Sequence, residues 1–226
     1  MNESTGASAV RVGIADDHPI FRDGLRRLLE IEAGFVVVGE AADAQQAFEL
    51  TTRHKPDILL LDLAMPRESG LDALRTMPEL SRSTRVLVLT AAIDKADIAK
   101  ALMLGARGVV LKESATAVLI EAIRTVLTGR YWVGRGPVED IVVALQEMQQ
   151  SLTPRAPTRD FGLTERELKI VALIVDAAGN KEIAERLGIS EKTVKNHLTN
   201  IFDKTGVSGR LELALFAINH HLRLPR

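Results

Sequence analysis

The sequence predicts two folds in one chain, an α/β doubly wound domain followed by a small all-α domain. Up to residue 133, short apolar runs alternate with helix-spaced segments, whereas from Phe161 onward every periodic segment is helical. Between them Gly134-Arg135-Gly136-Pro137, and later the two prolines of Thr153 to Asp160, interrupt regular structure.

The apolar runs are Val10–Ala15, Phe35–Val38, Ile58–Leu61, Val86–Leu89 and Val109–Leu111. Each is apolar on successive residues, as a strand buried on both faces of a parallel sheet must be. Helix-spaced segments such as Phe21-Leu25-Leu28-Leu29 and Val118-Ala122-Ile123-Val126 separate them. Five such units imply a flavodoxin-like sheet of strand order 2-1-3-4-5. Right-handed crossovers then place every strand's C-terminal end on one edge.

After the break, Val138, Ile141, Leu145, Met148 and Leu152 recur at helical spacing, predicting an amphipathic helix over about 138–152 within a linker of 131–160. Thr164-Glu-Arg-Glu167 is a capping box that opens the next helix. Ala177-Ala178-Gly179 ends that helix, and Asn180 is expected to cap a short one reaching Leu187. Gly188 supplies a turn, Ser190 caps the following helix and Gly206 closes it. A last helix is expected to run to about Leu222, giving four helices over 161–226 after an α/β domain over 9–130.

Composition narrows the function. Hydrophobic residues make up 46% and charged residues 26% of the 226, an ordinary globular mixture. No apolar run approaches the roughly 18–20 residues that span a bilayer, so no membrane association is expected. Met1 to Ala9 lacks the basic and apolar regions of a signal peptide, which points to a soluble, cytoplasmic protein. Cysteine is absent, excluding disulfides, thiolate metal sites and thiol nucleophiles. Residues 161–226 hold 10 Lys/Arg against 8 Asp/Glu, so any nucleic-acid reading rests on where charges sit rather than on their sum.

Chemistry concentrates where strands end. Asp16 and Asp17 close the first strand and Asp62 the third, and the assumed order makes these strands neighbours at the crevice of the sheet. Three carboxylates in one crevice repel unless a cation holds them, and oxygen ligation with room for water suits Mg²⁺. Thr90 ends the fourth strand and Lys112 the fifth, adding a hydroxyl and a fixed positive charge. The set fits attack by an Asp62 oxygen on a phosphoryl group whose charge is neutralised nearby.

Ala-Asp16-Asp17-His, Leu61-Asp62-Leu-Ala-Met65-Pro66 with Gly70, Leu89-Thr90-Ala91 and Gly105-Ala-Arg-Gly108-Val-Val-Leu-Lys112 resemble the receiver domain of two-component response regulators. The resemblance implies that Asp62 is the phosphoacceptor. It implies that Asp17, Asp62 and the Ala64 backbone carbonyl hold Mg²⁺ directly, with Asp16 acting through water. Thr90 and Lys112 would contact the phosphoryl group. One position departs from the pattern: three residues before Lys112 the family often carries an aromatic ring that swings inward, and here the residue is Val109. Ala64 and Ala92, flanking the pocket, cannot orient a hydrolytic water, so a long-lived phosphoryl group is expected, with no enzymatic turnover beyond slow autodephosphorylation.

The segment Asn180 to Leu198 has helix, tight turn, helix spacing, with Ile183, Ala184, Leu187, Ile189, Val194 and Leu198 forming the shared core. The second helix exposes Lys192, Lys195, Asn196, Thr199 and, near its end, Lys204. Lys suits guanine edges and Asn suits adenine. Lys181, Lys192, Thr193 and Arg210 are placed for phosphate contacts, which give position rather than sequence. His197 reads as a packing or phosphate-contacting residue, and His220-His221 as plain surface. Leu163-Thr164-Glu-Arg-Glu167, Asn180-Lys-Glu-Ile-Ala184 and Ser190-Glu-Lys-Thr-Val194-Lys-Asn-His197 resemble the LuxR-type DNA-binding domain of the NarL/FixJ branch of response regulators. That resemblance makes Lys195, Asn196 and Thr199 the base readers.

Together the readings imply a transcriptional regulator phosphorylated by a histidine kinase, binding double-stranded DNA as a homodimer when activated. Two alternatives stand beside it: a DNA binder indifferent to phosphorylation that uses the receiver as a dimerisation scaffold, and a Mg²⁺-dependent phosphate hydrolase. The second lacks a Gly-rich phosphate loop and a general base beyond the same carboxylates.

Overall fold

A computed structural model describes residues 9–65, 69–76, 84–92, 94–133, 141–143, 145, 161–220, 222 and 224–225. The chain divides into two compact units, residues 1–93 with 104–134 and residues 94–103 with 135–226. In chain order the first elements are β1 (Val10–Ala15), α1 (Pro19–Ile31), β2 (Phe35–Ala41), α2 (Ala44–His54), β3 (Ile58–Asp62), α3 (Gly70–Thr76), β4 (Arg85–Thr90), α4 (Lys95–Met103), β5 (Gly108–Leu111) and α5 (Thr116–Leu127). After them come α6 (Glu165–Val175), α7 (Asn180–Leu187), α8 (Glu191–Thr205) and α9 (Arg210–Asn219).

The five strands pair in parallel in the order β2-β1-β3-β4-β5, as the sequence predicts for a doubly wound fold. Every residue of β3 is buried, which is why it reads as an unbroken apolar run. β2 lies at the edge and is mostly half-buried, so it tolerates Gly39 and Glu40 and continues to Ala41, past the apolar run that marks it. Ile14, Leu29, Ile58, Leu60, Leu87 and Ile123 meet in the core, which α1 and α5 share with the sheet. Pro19 starts α1 at a position where a missing N–H costs nothing, so Pro after His18 places the helix start directly behind the acids of β1.

Beyond α5 the chain returns to the edge of β5. Trp132 forms an isolated parallel bridge with Gly108, accepting a bond from Val109 N (2.8 Å) and donating one to Arg107 O (3.0 Å). The Arg107 guanidinium lies over the Tyr131 ring at 4.9 Å. Only glycine fits at 108, because a Cβ there would sit 2.5 Å from Trp132 O and 2.9 Å from Trp132 Cβ.

In the helical segment, Thr164 and Glu167 form the capping box reciprocally. Glu167 is buried, and it also receives Lys204 Nζ at 2.7 Å. Ser190 caps α8 by accepting from Thr193 N (3.1 Å), and Gly206 ends it in the left-handed conformation. Gly188, also left-handed at φ 63°, makes the turn between α7 and α8. Ile183, Val194, Ile201, Ile170, Ile174 and Leu213 fill the interior.

Two expectations shift. Gly179, not Asn180, occupies the cap of α7, with no side-chain cap bond, because Asn180 is already within the helix. α9 stops at Asn219, short of Leu222, since the His220 N–H closes the last turn onto Phe216 O. His220 is exposed as expected, though its ring lies 4.4 Å from Phe216 and 5.2 Å from Phe161, while His221 falls outside the described residues. Of the expected 138–152 helix, residues 141–143 and 145 are helical with Ile141 and Leu145 buried, and the remainder, like most of the linker, lies outside the described residues.

Gly108→Ala is expected to destabilise the α/β unit by roughly 1–3 kcal/mol through overpacking at Trp132. Urea unfolding monitored by the fluorescence of Trp132, the sole tryptophan, measures this directly. Glu167 gives a pH-dependent counterpart. Burial pushes its carboxyl up, but the Lys204 ammonium and the Thr164 N–H and hydroxyl outweigh burial and hold it below the ordinary value. A depressed folded pKa adds stability above the unfolded value of about 4.3, lost as pH falls through the folded value. Glu167→Gln should therefore cost about 1–3 kcal/mol at neutral pH, and thermal melts of the two proteins should converge only once the pH has fallen through that depressed folded value.

Candidate functional site

The turn after β1 and the end of β3 are adjacent because β1 and β3 pair directly, bringing Ala15 opposite Leu61. Asp16 follows β1 and Asp62 ends β3, and both are fully buried. Asp17 is one-quarter exposed at the mouth. The first turn locks Asp16 in place: its N–H donates to Ala41 O (3.1 Å), and its Oδ1 accepts from His18 N (2.9 Å). Asp62 Oδ1 accepts from Ala64 N (3.0 Å), turning the loop after β3 around the carboxylate. Gly70 presses on the same backbone, where a Cβ would lie 2.2 Å from Asp62 O.

Lys112 follows β5 and crosses to the acids. Its Nζ is 2.7 Å from Asp16 Oδ2 and 2.8 Å from Asp62 Oδ2, and 4.8 Å from the centre of the Phe21 ring. Burial alone would lower the ammonium's pKa, but the two carboxylates outweigh it and hold the group above its ordinary value. The contact is charge against charge, since neither oxygen accepts a well-directed hydrogen bond. Asp17 Oδ1 is likewise buried without a hydrogen bond. One ammonium thus serves two of the three acids, leaving the pocket an excess of negative charge. That donor set fits a hard divalent cation, which needs several oxygens and keeps water in its remaining positions.

Thr90 ends β4 as expected, but its hydroxyl donates to Ala92 O (2.9 Å) in the loop that follows. The Lys112 N–H donates to Thr90 O (2.8 Å), so these two residues are tied through backbone rather than side chain. Val109 is buried in β5 with no ring to swing. Ala64 and Ala92 are exposed.

Sequence reading missed two groups here. Arg22 of α1 donates to Asp16 O (2.5 Å) while its Nε lies 3.4 Å from Glu40, bracing the turn. His18 Nδ1 lies 2.7 Å from Asp17 Oδ1 and 3.3 Å from Asp16 Oδ1. Its place directly after the two acids is the only signal the sequence holds for it.

In the helical segment α8 buries Val194, Leu198 and Ile201 on one side and exposes Lys192, Lys195, Asn196 and Thr199 on the other. Lys181 is exposed near the start of α7. Thr193 shares its hydroxyl with the Ser190 cap at 2.8 Å, and His197 is half-buried. Lys204 and Arg210 also make bonds within the segment. The Lys204 ammonium binds Glu167, and the Arg210 guanidinium bonds Ala178 O.

A parallel sheet of this order, acids at two neighbouring strand ends and a lysine facing them define a receiver, and α7 with α8 is a helix-turn-helix. Residues 12–124 match the response regulator receiver domain, and residues 162–217 match the bacterial regulatory proteins of the luxR family. The chain is 32% identical to the transcriptional regulatory protein DegU of Brevibacillus brevis, over 97% of this chain and 98% of that one. It is 36% identical to the oxygen regulatory protein NreC of Staphylococcus epidermidis, over 94% and 99%. Among solved structures, a LuxR-family response regulator from an Aurantimonas species shares 38% identity at a TM-score of 0.55, covering 64% of this chain and all of that one. The response regulator RcsB in complex with DNA shares 25% identity at a TM-score of 0.53, covering 94% and 99%. The chain belongs to the NarL/FixJ family of two-component response regulators and is a DNA-binding transcriptional regulator.

Lys112→Met would leave two buried carboxylates without their countercharge and is expected to cost about 3–5 kcal/mol. Urea unfolding checks this, and an unchanged midpoint would show that the contact carries no stability.

Proposed function

We propose that Asp62 is the phosphoacceptor and that its phosphorylation by a histidine kinase controls DNA binding. The observation that carries this reading is the buried pairing of Asp62 with Lys112, beside carboxylate oxygens that lack hydrogen bonds. An Asp62 oxygen forms a bond to phosphorus while the P–N bond to the donor imidazole breaks and its electron pair stays on nitrogen. Lys112 stabilises charge on the transferring oxygens. Asp17, Asp62 and the Ala64 carbonyl would hold Mg²⁺ directly and Asp16 through water, and the ion would neutralise phosphoryl charge. The Thr90 hydroxyl must leave Ala92 O to reach the phosphoryl group, so phosphorylation would rearrange the loop after β4. With Val109 in β5, that loop carries the change without a swinging ring.

The domains are read as a receiver over 9–130, a linker over 131–160 and a DNA-binding domain over 161–226. In the latter, Lys195, Asn196 and Thr199 are aimed at base edges in the major groove, with Lys204 near the end of the same helix, while Lys181, Lys192, Thr193 and Arg210 hold phosphates. The near-neutral charge of this segment favours two copies on paired half-sites, hence a homodimer of the phosphorylated form. The protein acts in the cytoplasm on this reading. Among the described residues, no helix is long and apolar enough to cross a membrane.

Titrating acetyl phosphate with Mg²⁺, while following sedimentation and DNA binding, tests the proposal. Wild type should dimerise and tighten on DNA, Asp62→Ala should do neither, and a response in Asp62→Ala would refute the phosphoacceptor assignment. Lys195→Ala or Asn196→Ala should each weaken specific binding by about 1–3 kcal/mol, with little change on unrelated DNA. Because Ala64 and Ala92 cannot orient water, the phosphoryl group should decay more slowly than a timescale of seconds in a phosphate-release assay.

A further inference from the structure

We infer that Arg166 is a positioning residue for base readout: its guanidinium fixes the turn between α7 and α8, and with it the angle at which α8 meets DNA. The inference rests on the reading of Lys195, Asn196 and Thr199 as base contacts and adds what holds them in place.

The turn is where the two helices could pivot. The last carbonyls of a helix have no partner within it. At the end of α7 the Ala184 carbonyl accepts from Ile189 N (3.0 Å) and the Glu185 carbonyl from Gly188 N (3.3 Å). The Leu187 carbonyl, on the peptide that leads into Gly188, is taken by a side chain from another helix. Arg166 Nη2 of α6 donates to it at 2.6 Å. Gly188 itself gives the turn no packing: it stands at φ 63° and ψ 39°, and a Cβ there would meet nothing within 4 Å. A glycine free of neighbours has wide backbone freedom. The bond from half-buried Arg166 ties that freedom to the body of the domain.

The same helix holds the far end of α8. Glu167, the next residue along α6, is buried and accepts from Lys204 Nζ at 2.7 Å, one residue before α8 ends. Thr164 fixes Glu167 in turn, its N–H donating to the carboxylate at 2.7 Å. Two consecutive residues therefore grip the reading helix just ahead of its first turn and within its last. With Lys204 as pivot, Lys195 lies about 13 Å away at about 1.5 Å per residue. A tilt of about 10°, the margin within which a site must be held, moves it by about 2 Å. Directional bonds to base edges do not survive such a shift. Contacts from long lysines to phosphates are less directional and do.

The test uses the full chain with acetyl phosphate and Mg²⁺, and two DNA probes. One is a duplex that wild type selects from a pool randomised over about 20 base pairs, enough for two half-sites one helical turn apart. The other is an unrelated duplex of equal length. Melting curves read by circular dichroism set an assay temperature at which every variant is folded. Arg166→Gln, whose amide is too short to replace the guanidinium, should lose about tenfold or more on the selected duplex. On the unrelated duplex it should stay within about twofold of wild type, and it should select a broader set of bases from the pool. Arg166→Lys, which keeps the charge and a donor, should recover most of the discrimination. Equal losses on both duplexes in Arg166→Gln, or an unchanged ratio between them, would overturn the inference. Lys195→Ala and Asn196→Ala run alongside. Discrimination lost in these but kept in Arg166→Gln refutes the positioning role alone, whereas discrimination kept in all three refutes the base-reading assignment beneath it.

Discussion

Lys112 holds two fully buried carboxylates, Asp16 and Asp62, within 3 Å of one positive charge, and much else in the receiver is arranged around that imbalance. The order of the sheet places β1 beside β3, so the acids meet. Gly70 and the loop after β3 close around Asp62, while Arg22 and the start of α1 brace Asp16. Removing water from charges is costly, and the attraction to one ammonium offsets it only in part. The remaining negative charge suits the pocket to a cation.

Much of this was legible in the sequence because burial on both faces writes itself as consecutive apolar residues. β1, β3, β4 and β5 are found that way, and the strand-end positions of Asp62 and Thr90, with Lys112 just after β5, follow from them. β2 is underestimated at its end, since an edge strand needs no apolar residue at Gly39 or Glu40. The return of Trp132 to the edge of β5 is illegible, because a single bridge has no period. Side-chain commitments are the least legible feature. Nothing local to Lys204 or Arg210 shows that their charges meet Glu167 and Ala178 O, contacts that span 37 and 32 residues of chain.

Those two contacts change how the DNA-binding segment is understood. Its surplus of positive charge is small, and part of it is spent on fastening α8 and α9 to the capped start of α6 and the turn behind it. The exposed face of α8 carries Lys192, Lys195, Asn196 and Thr199 opposite the buried Val194, Leu198 and Ile201. On the function proposed above, specificity depends on these few donors, and affinity on bringing two such faces to one duplex.

The central claim is that Asp62, and no other group, accepts the phosphoryl. Intact-protein mass spectrometry after incubation with a small phosphodonor and divalent cation, followed by hydroxylamine treatment and peptide mapping, addresses it most directly. One hydroxylamine-labile phosphoryl group per chain, located at Asp62, is the expected result. A stable phosphate on a hydroxyl side chain, or no incorporation with the cation bound, would contradict the account.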